Sequence, residues 1–188
     1  MTGVQTCALP ILSSSGIKQA VDGGEFTVLL RISNYNRQLN DPQVTVAWYV
    51  GTKLGKAPAW DGNDAWPIRE YAVKDKDPNK PLSVDTNAYV RDGILVAGPK
   101  GPDGTSREVP FQISADFLVN ISGVFVTGKL VPMGSTFALE EGILAGKWST
   151  DDVLKQMSGL RIFGQQLCPG SGPYVQLAGK VCSTADIA

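Results

Sequence analysis

The chain is predicted to be mainly β: an antiparallel β-sandwich, with a barrel as the alternative, carrying one or two short helices at its C-terminal end. Three observations predict this. Apolar residues alternate with polar ones over residues 26–32 and 44–50, the period of a half-buried strand. The 188 residues include 21 glycines and 12 prolines, the punctuation of short strands set at roughly ten-residue spacing. Helical spacing of apolar residues appears only after Ser149.

Residues 1–11, MTGVQTCALPI, match the translated reverse complement of a widely used sequencing adapter, with an initiating GTG decoded as methionine. They are expected to be an artefact joined to a truncated reading frame, and fusion scars of this kind are set aside from fold reasoning. Residues 12–188 are then expected to form a single β-rich domain, long enough to bury its own core. Setting the scar aside also removes Cys7, leaving Cys168 and Cys182 as an even pair.

Taken in order, residues 17–21 and 25–32 read as a β-hairpin around Asp22-Gly23-Gly24, because Asp-Gly supplies the positive φ that tight hairpin turns demand. Phe26, Val28, Leu30 and Ile32 share one face, and Val44, Val46, Trp48 and Val50 repeat the pattern in a second strand. Residues 51–67 are a long loop, 68–73 a strand, and 74–81 (KDKDPNKP) a charged, solvated turn. Two apolar runs flank Arg91-Asp92-Gly93, a further hairpin signal, and 98–104 is a loop tip. Strands are expected near 111–115, 117–121 and 124–130, with Gly123 permitting a turn or bulge. Residues 137–139 and 143–145 flank Glu140-Glu141-Gly142, read as another tight turn.

The period then changes. Ser149 fits a helix N-cap, Asp151 and Asp152 suit the first turn against the helix dipole, and Gly159 suits the position after the helix. Val153, Leu154 and Met157 form its apolar stripe. Tyr174, Leu177, Ala178 and Val181 fall at helical spacing too, so a second short helix is expected to carry Cys182.

Composition excludes several functions. Lys and Arg number 17 against 18 Asp and Glu, a net charge of −1, so no basic excess exists to neutralise a nucleic-acid backbone. No apolar run approaches the ~20 residues of a membrane helix. Histidine is absent, which removes Ser-His-Asp and Cys-His catalysis from this chain and nearly all catalytic zinc chemistry. No catalytic residue, metal site or cofactor is predicted.

Two constellations carry chemical content. Cys168 and Cys182 could close a loop of about 15 residues as a disulfide, worth roughly 3 kcal/mol in the chain-entropy account. A bridge implies an oxidising compartment, so the chain is expected to be periplasmic, outer-membrane-anchored or extracellular. The second is Trp60-Asp61-Gly62-Asn63-Asp64-Ala65-Trp66, two tryptophans around a turn that offers the Asp61, Asn63 and Asp64 oxygens. It reads as a sugar-stacking platform or, more plainly, as an anchored loop; a calcium loop fails because Ala65 stands where a further oxygen ligand is needed. The paired carboxylates Glu140-Glu141 do not suggest glycoside hydrolysis, since neighbours on a strand point to opposite faces.

The run Phe137 to Trp148 (FALEEGILAGKW), followed by L-C, V-C and A-D-I toward the end, resembles a group of uncharacterised bacterial envelope proteins, often lipoproteins. The resemblance covers the C-terminal third. It implies a lipid anchor upstream of the sequence and carries no activity. The function expected is a non-enzymatic, secreted or envelope-anchored binding or structural module of unknown partner. The alternative is a carbohydrate-active enzyme or carbohydrate-binding module using Trp60, Trp66 and the nearby carboxylates, with a glycan as partner.

Overall fold

The structure is a computed structural model that describes residues 14–100, 105, 108–114, 117–134, 136–158, 161–162 and 165–184. The adapter-like residues 1–11, the loop tip 101–104, Ala115 and Gly159 lie outside the described residues.

Among the described residues, seven antiparallel strands make one sheet that curls into a half-barrel. They are β1 (Thr27–Ser33), β2 (Asp41–Gly51), β3 (Ser83–Arg91), β4 (Ile94–Ala97), β5 (Val109–Ser114), β6 (Phe117–Met133) and β7 (Thr136–Trp148). Strands β1 to β4 form a meander, and β4 then pairs with β6. Ile121 of β6 pairs with both Val109 and Trp148, and Val126 with both Ala97 and Leu144. Strands β4 and β5 therefore lie end to end along one side of β6, with β7 on the other.

The alternation read from the sequence sets the two faces. Val44, Val46 and Trp48 join Val90, Leu95, Ala97, Val126 and Leu130 in the main core, with Val28, Leu30, Ile32 and Phe137 packed against it. On the opposite face Ala47 and Tyr49 pack with Val73, beside Leu29, Ile68 and Val84. The core also contains a buried carboxylate. Asp85 accepts hydrogen bonds from the Asn87 N–H at 2.9 Å and the Gly98 N–H at 2.8 Å, so its burial is matched by donors. The Gly98 bond ties β3 to the chain leaving β4.

Several expectations change. Residues 17–21 are not a strand; Ser14–Asp22 is a helix, α1. A short apolar run fits either period, and Asp22-Gly23-Gly24 serves here to end a helix. The Glu25 N–H bonds the Ala20 carbonyl, the Gly24 N–H bonds that of Val21, and Gly24 takes φ 75. Residues 68–73 are likewise not a strand. Ile68 makes one bridge to Gly51, Glu70–Ala72 is a 3-10 turn, and Val73 bridges to Pro81.

The hairpin at Arg91-Asp92-Gly93 is present, with Asp92 and Gly93 both at positive φ (50 and 78) as a two-residue turn requires. Glu140-Glu141-Gly142, by contrast, is a β-bulge within continuous β7, with Glu141 at φ 51. The turn that joins β6 to β7 lies at Met133–Thr136 instead. Gly123, at φ 59, sits in a second irregularity between Ser122 and Phe125, and so joins the two expected strands into β6.

Thr150–Met157 is α2, and Gly172–Thr184 is α3. Ser149 occupies the N-cap of α2, but its hydroxyl makes no capping bond. Two short strands, β8 (Arg161–Ile162) and β9 (Gln165–Gln166), pair between the helices. Val153 and Met157 of α2 meet Leu177 and Val181 of α3 over Leu167, with Trp148, Leu154 and Tyr174 at the margin. No helix among the described residues is long and apolar enough to cross a membrane.

Candidate functional site

The loop from Thr52 to Pro67 is closed at its base. The Thr52 N–H bonds the Pro67 carbonyl at 2.8 Å, and the Arg69 N–H bonds the Val50 carbonyl at 2.9 Å. The loop also leans on the end of α1, where the Leu54 N–H bonds the Gly24 carbonyl at 2.8 Å. A compact loop with joined ends and its own internal packing is a common carrier of function.

Inside it, Asp64 organises the backbone. Its carboxylate accepts the Ala59 N–H at 3.1 Å and the Trp60 N–H at 2.8 Å, one on each oxygen. Trp60 is thereby held at φ 55, a left-handed conformation that bulky side chains avoid. Holding it there costs on the order of 1–3 kcal/mol. The result is an indole that remains 49% exposed. Trp66 lies behind it, with ring centroids 5.9 Å apart and planes at 36°. Trp66 rests in turn on Gly51, whose missing Cβ would stand 3.4 Å from the ring. Met133, at the tip of the β6–β7 hairpin, reaches the same edge: its terminal methyl lies 3.5 Å from where a Gly62 Cβ would be.

The sequence-predicted residues therefore come together, but with divided roles. Trp66 and Asp64 are supports, and Trp60 is the presented surface. The tilt of 36° means that the two rings form a step rather than one flat platform. Asp61 accepts the Asn63 N–H at 2.9 Å, closing a local turn. Among the described residues, no three His, Cys, Asp or Glu side chains converge as a metal centre requires.

The Asn63 backbone N–H, and after it the Asn63 side chain, hold the Asp61 carboxyl below its ordinary value of 3.8. A carboxyl depressed in the fold contributes stability that is present above its unfolded-state value and is lost as pH falls through the lower folded value. The Trp60 environment is therefore expected to stay constant down to about pH 4 and to change below it. Tryptophan fluorescence followed against pH checks this: Asp61→Asn should remove that part of the transition, and an unchanged curve would assign it to other groups.

Cys168 and Cys182 are not bridged; both are free and exposed. Helix geometry gives the reason. The Val175 N–H already bonds the Ser171 carbonyl, so the helix from Ser171 to Cys182 rises about 16 Å. The Ser171 N–H bonds the Cys168 carbonyl at 3.0 Å, a turn that keeps Cys168 within about 7 Å of Ser171. The two Cα atoms are thus left beyond the ~7 Å a disulfide can span.

The sequence reading missed Met133 as a neighbour of the loop and missed the opposite face of β1. There Arg31 lies over the Tyr49 ring, 5.5 Å from its centroid. The alternation that put Leu30 and Ile32 inward already placed Leu29 and Arg31 outward, so the signal was available. No family model, curated protein or solved structure matches the chain.

Proposed function

We propose that the chain is a non-enzymatic binding module, secreted or held at the cell envelope, that engages its ligand through the Trp60 loop. One observation carries the reading: an exposed indole is fixed in a costly backbone conformation by a carboxylate dedicated to that purpose. Strain maintained at a surface aromatic points to a presented contact, because a loop needing only to cover the sheet would bury the ring. Glycan is the ligand class that suits it. A sugar ring stacks its C–H face on the indole, while the Asp61 and Asn63 side chains beside it offer polar edges. The curled sheet, on this reading, is an open version of the barrel alternative and serves as a rigid support for the loop.

The envelope placement rests on the resemblance of residues 137–148, since the free thiols withdraw the argument from a disulfide. A glycan array tests the ligand class. Wild-type protein is expected to give selective signals that Trp60→Ala abolishes and Trp66→Ala weakens. No glycan signal from wild type would remove this ligand class, and equal signals from Trp60→Ala would move the contact elsewhere.

A further inference from the structure

We propose a second site, separate from the Trp60 loop, that binds a small carboxylic acid with an apolar tail on the outer face of β1 and β2. A groove of about 250 Å³ lies there, lined by Leu29, Arg31, Tyr49, Ile68 and Pro78 together with Leu30. Leu29 and Tyr49 are register partners and form the floor. Ile68 comes from the start of the segment that crosses this face, and Pro78 from its charged turn. The volume sits just below the usual range for small-ligand sites, about 300–1,000 Å³, which suits a short aliphatic or single-ring acid.

Arg31 supplies the charge recognition. Its guanidinium makes no ion pair among the described residues. Its two hydrogen bonds, from Nη1 to the Pro78 carbonyl at 3.4 Å and to Asn79 Oδ1 at 3.5 Å, are long and go to neutral oxygens. A guanidinium has five donors in a planar fork, so Nη2 and Nε are left for a carboxylate, the partner this fork matches in two-point contact. Tyr49 is taken up internally, its hydroxyl donating to the Pro78 carbonyl at 2.8 Å. Asp77 lies near enough to act on the Tyr49 hydroxyl electrostatically, but it also faces Lys80, with Nζ 3.9 Å from its carboxylate. The groove thus joins an apolar floor to a cation that no carboxylate among the described residues neutralises. That pairing selects an amphipathic anion over a neutral apolar molecule.

Calorimetric titration of the whole chain with octanoate and with octanol tests the site. Octanoate is expected to bind measurably and octanol at least ten-fold more weakly, and Arg31→Gln should weaken octanoate by about ten-fold. Arg31→Lys should lose less. The comparison of acid with alcohol is made on wild type, so it holds whether or not the variants fold. Equal binding of octanol, or no binding of octanoate, overturns the proposal. Trp60→Ala should leave octanoate binding unchanged, which separates failure here from failure of the glycan reading.

Discussion

Leu95→Ala is expected to destabilise the protein by about 2–5 kcal/mol. Leu95 is fully buried at the middle of β4, paired with Val90 on one side and Gly128 on the other. It sits among Val44, Val46, Trp48, Ala88 and Val126, and a backbone fixed in a sheet on both sides cannot move in to fill the space. Such a loss is a large part of the roughly 5–15 kcal/mol that holds a domain together. Urea unfolding followed by circular dichroism is the check. The midpoint should fall with little change in slope. A loss under about 1 kcal/mol would mean that the sheet face carrying Val44, Val46 and Leu95 is not the core.

Asp64→Ala is expected to weaken binding at the Trp60 loop by about ten-fold while costing the fold only about 1 kcal/mol. Both side-chain hydrogen bonds of Asp64 lie at the surface, so water can replace them and the stability cost stays small. The proposed ligand contact has no such replacement. Without the carboxylate nothing offsets the strain at Trp60, and the residue relaxes to negative φ in most molecules. Apparent affinity then falls by the fraction still in the presenting conformation. Asp64→Asn retains one acceptor oxygen and should recover part of the loss. Calorimetry with a glycan selected on the array measures the effect, and wild-type affinity in Asp64→Ala would show that the loop conformation is not needed.

Where one period ran undisturbed, the sequence was a good guide. Strand β2 followed from four alternating apolar residues, the turn at Asp92-Gly93 from its need for positive φ, and α2 and α3 from apolar stripes at helical spacing. Misreadings arose where one residue type serves two purposes. Asp22-Gly23-Gly24 can turn a hairpin or end a helix, and the short run Ile17–Val21 did not discriminate. Glycine and glutamate at 140–142 look like a turn, yet in β7 they form a bulge that lets a long hairpin continue. Cysteine spacing failed for a different reason: it counts residues, whereas the helix between Cys168 and Cys182 holds them apart.

The candidate site was half legible. Trp60, Asp64 and Trp66 lie within seven positions of one another, and their grouping survived folding. The division of roles did not show, because it depends on which N–H groups the Asp64 carboxylate meets. The Arg31 groove was harder to foresee. Its lining comes from residues 31, 49, 68 and 78, which only the sheet register and the crossing segment bring together.

The presentation of Trp60 can be tested directly through the indole N–H resonances. The four tryptophans give four such signals, which assign by substitution. On titration with an array-selected glycan, the Trp60 signal is predicted to shift most and Trp66 to follow, since its ring is 5.9 Å away. Trp48, buried in the core at 2% exposure, should not move. A glycan that binds while the Trp60 signal stays fixed would contradict the account.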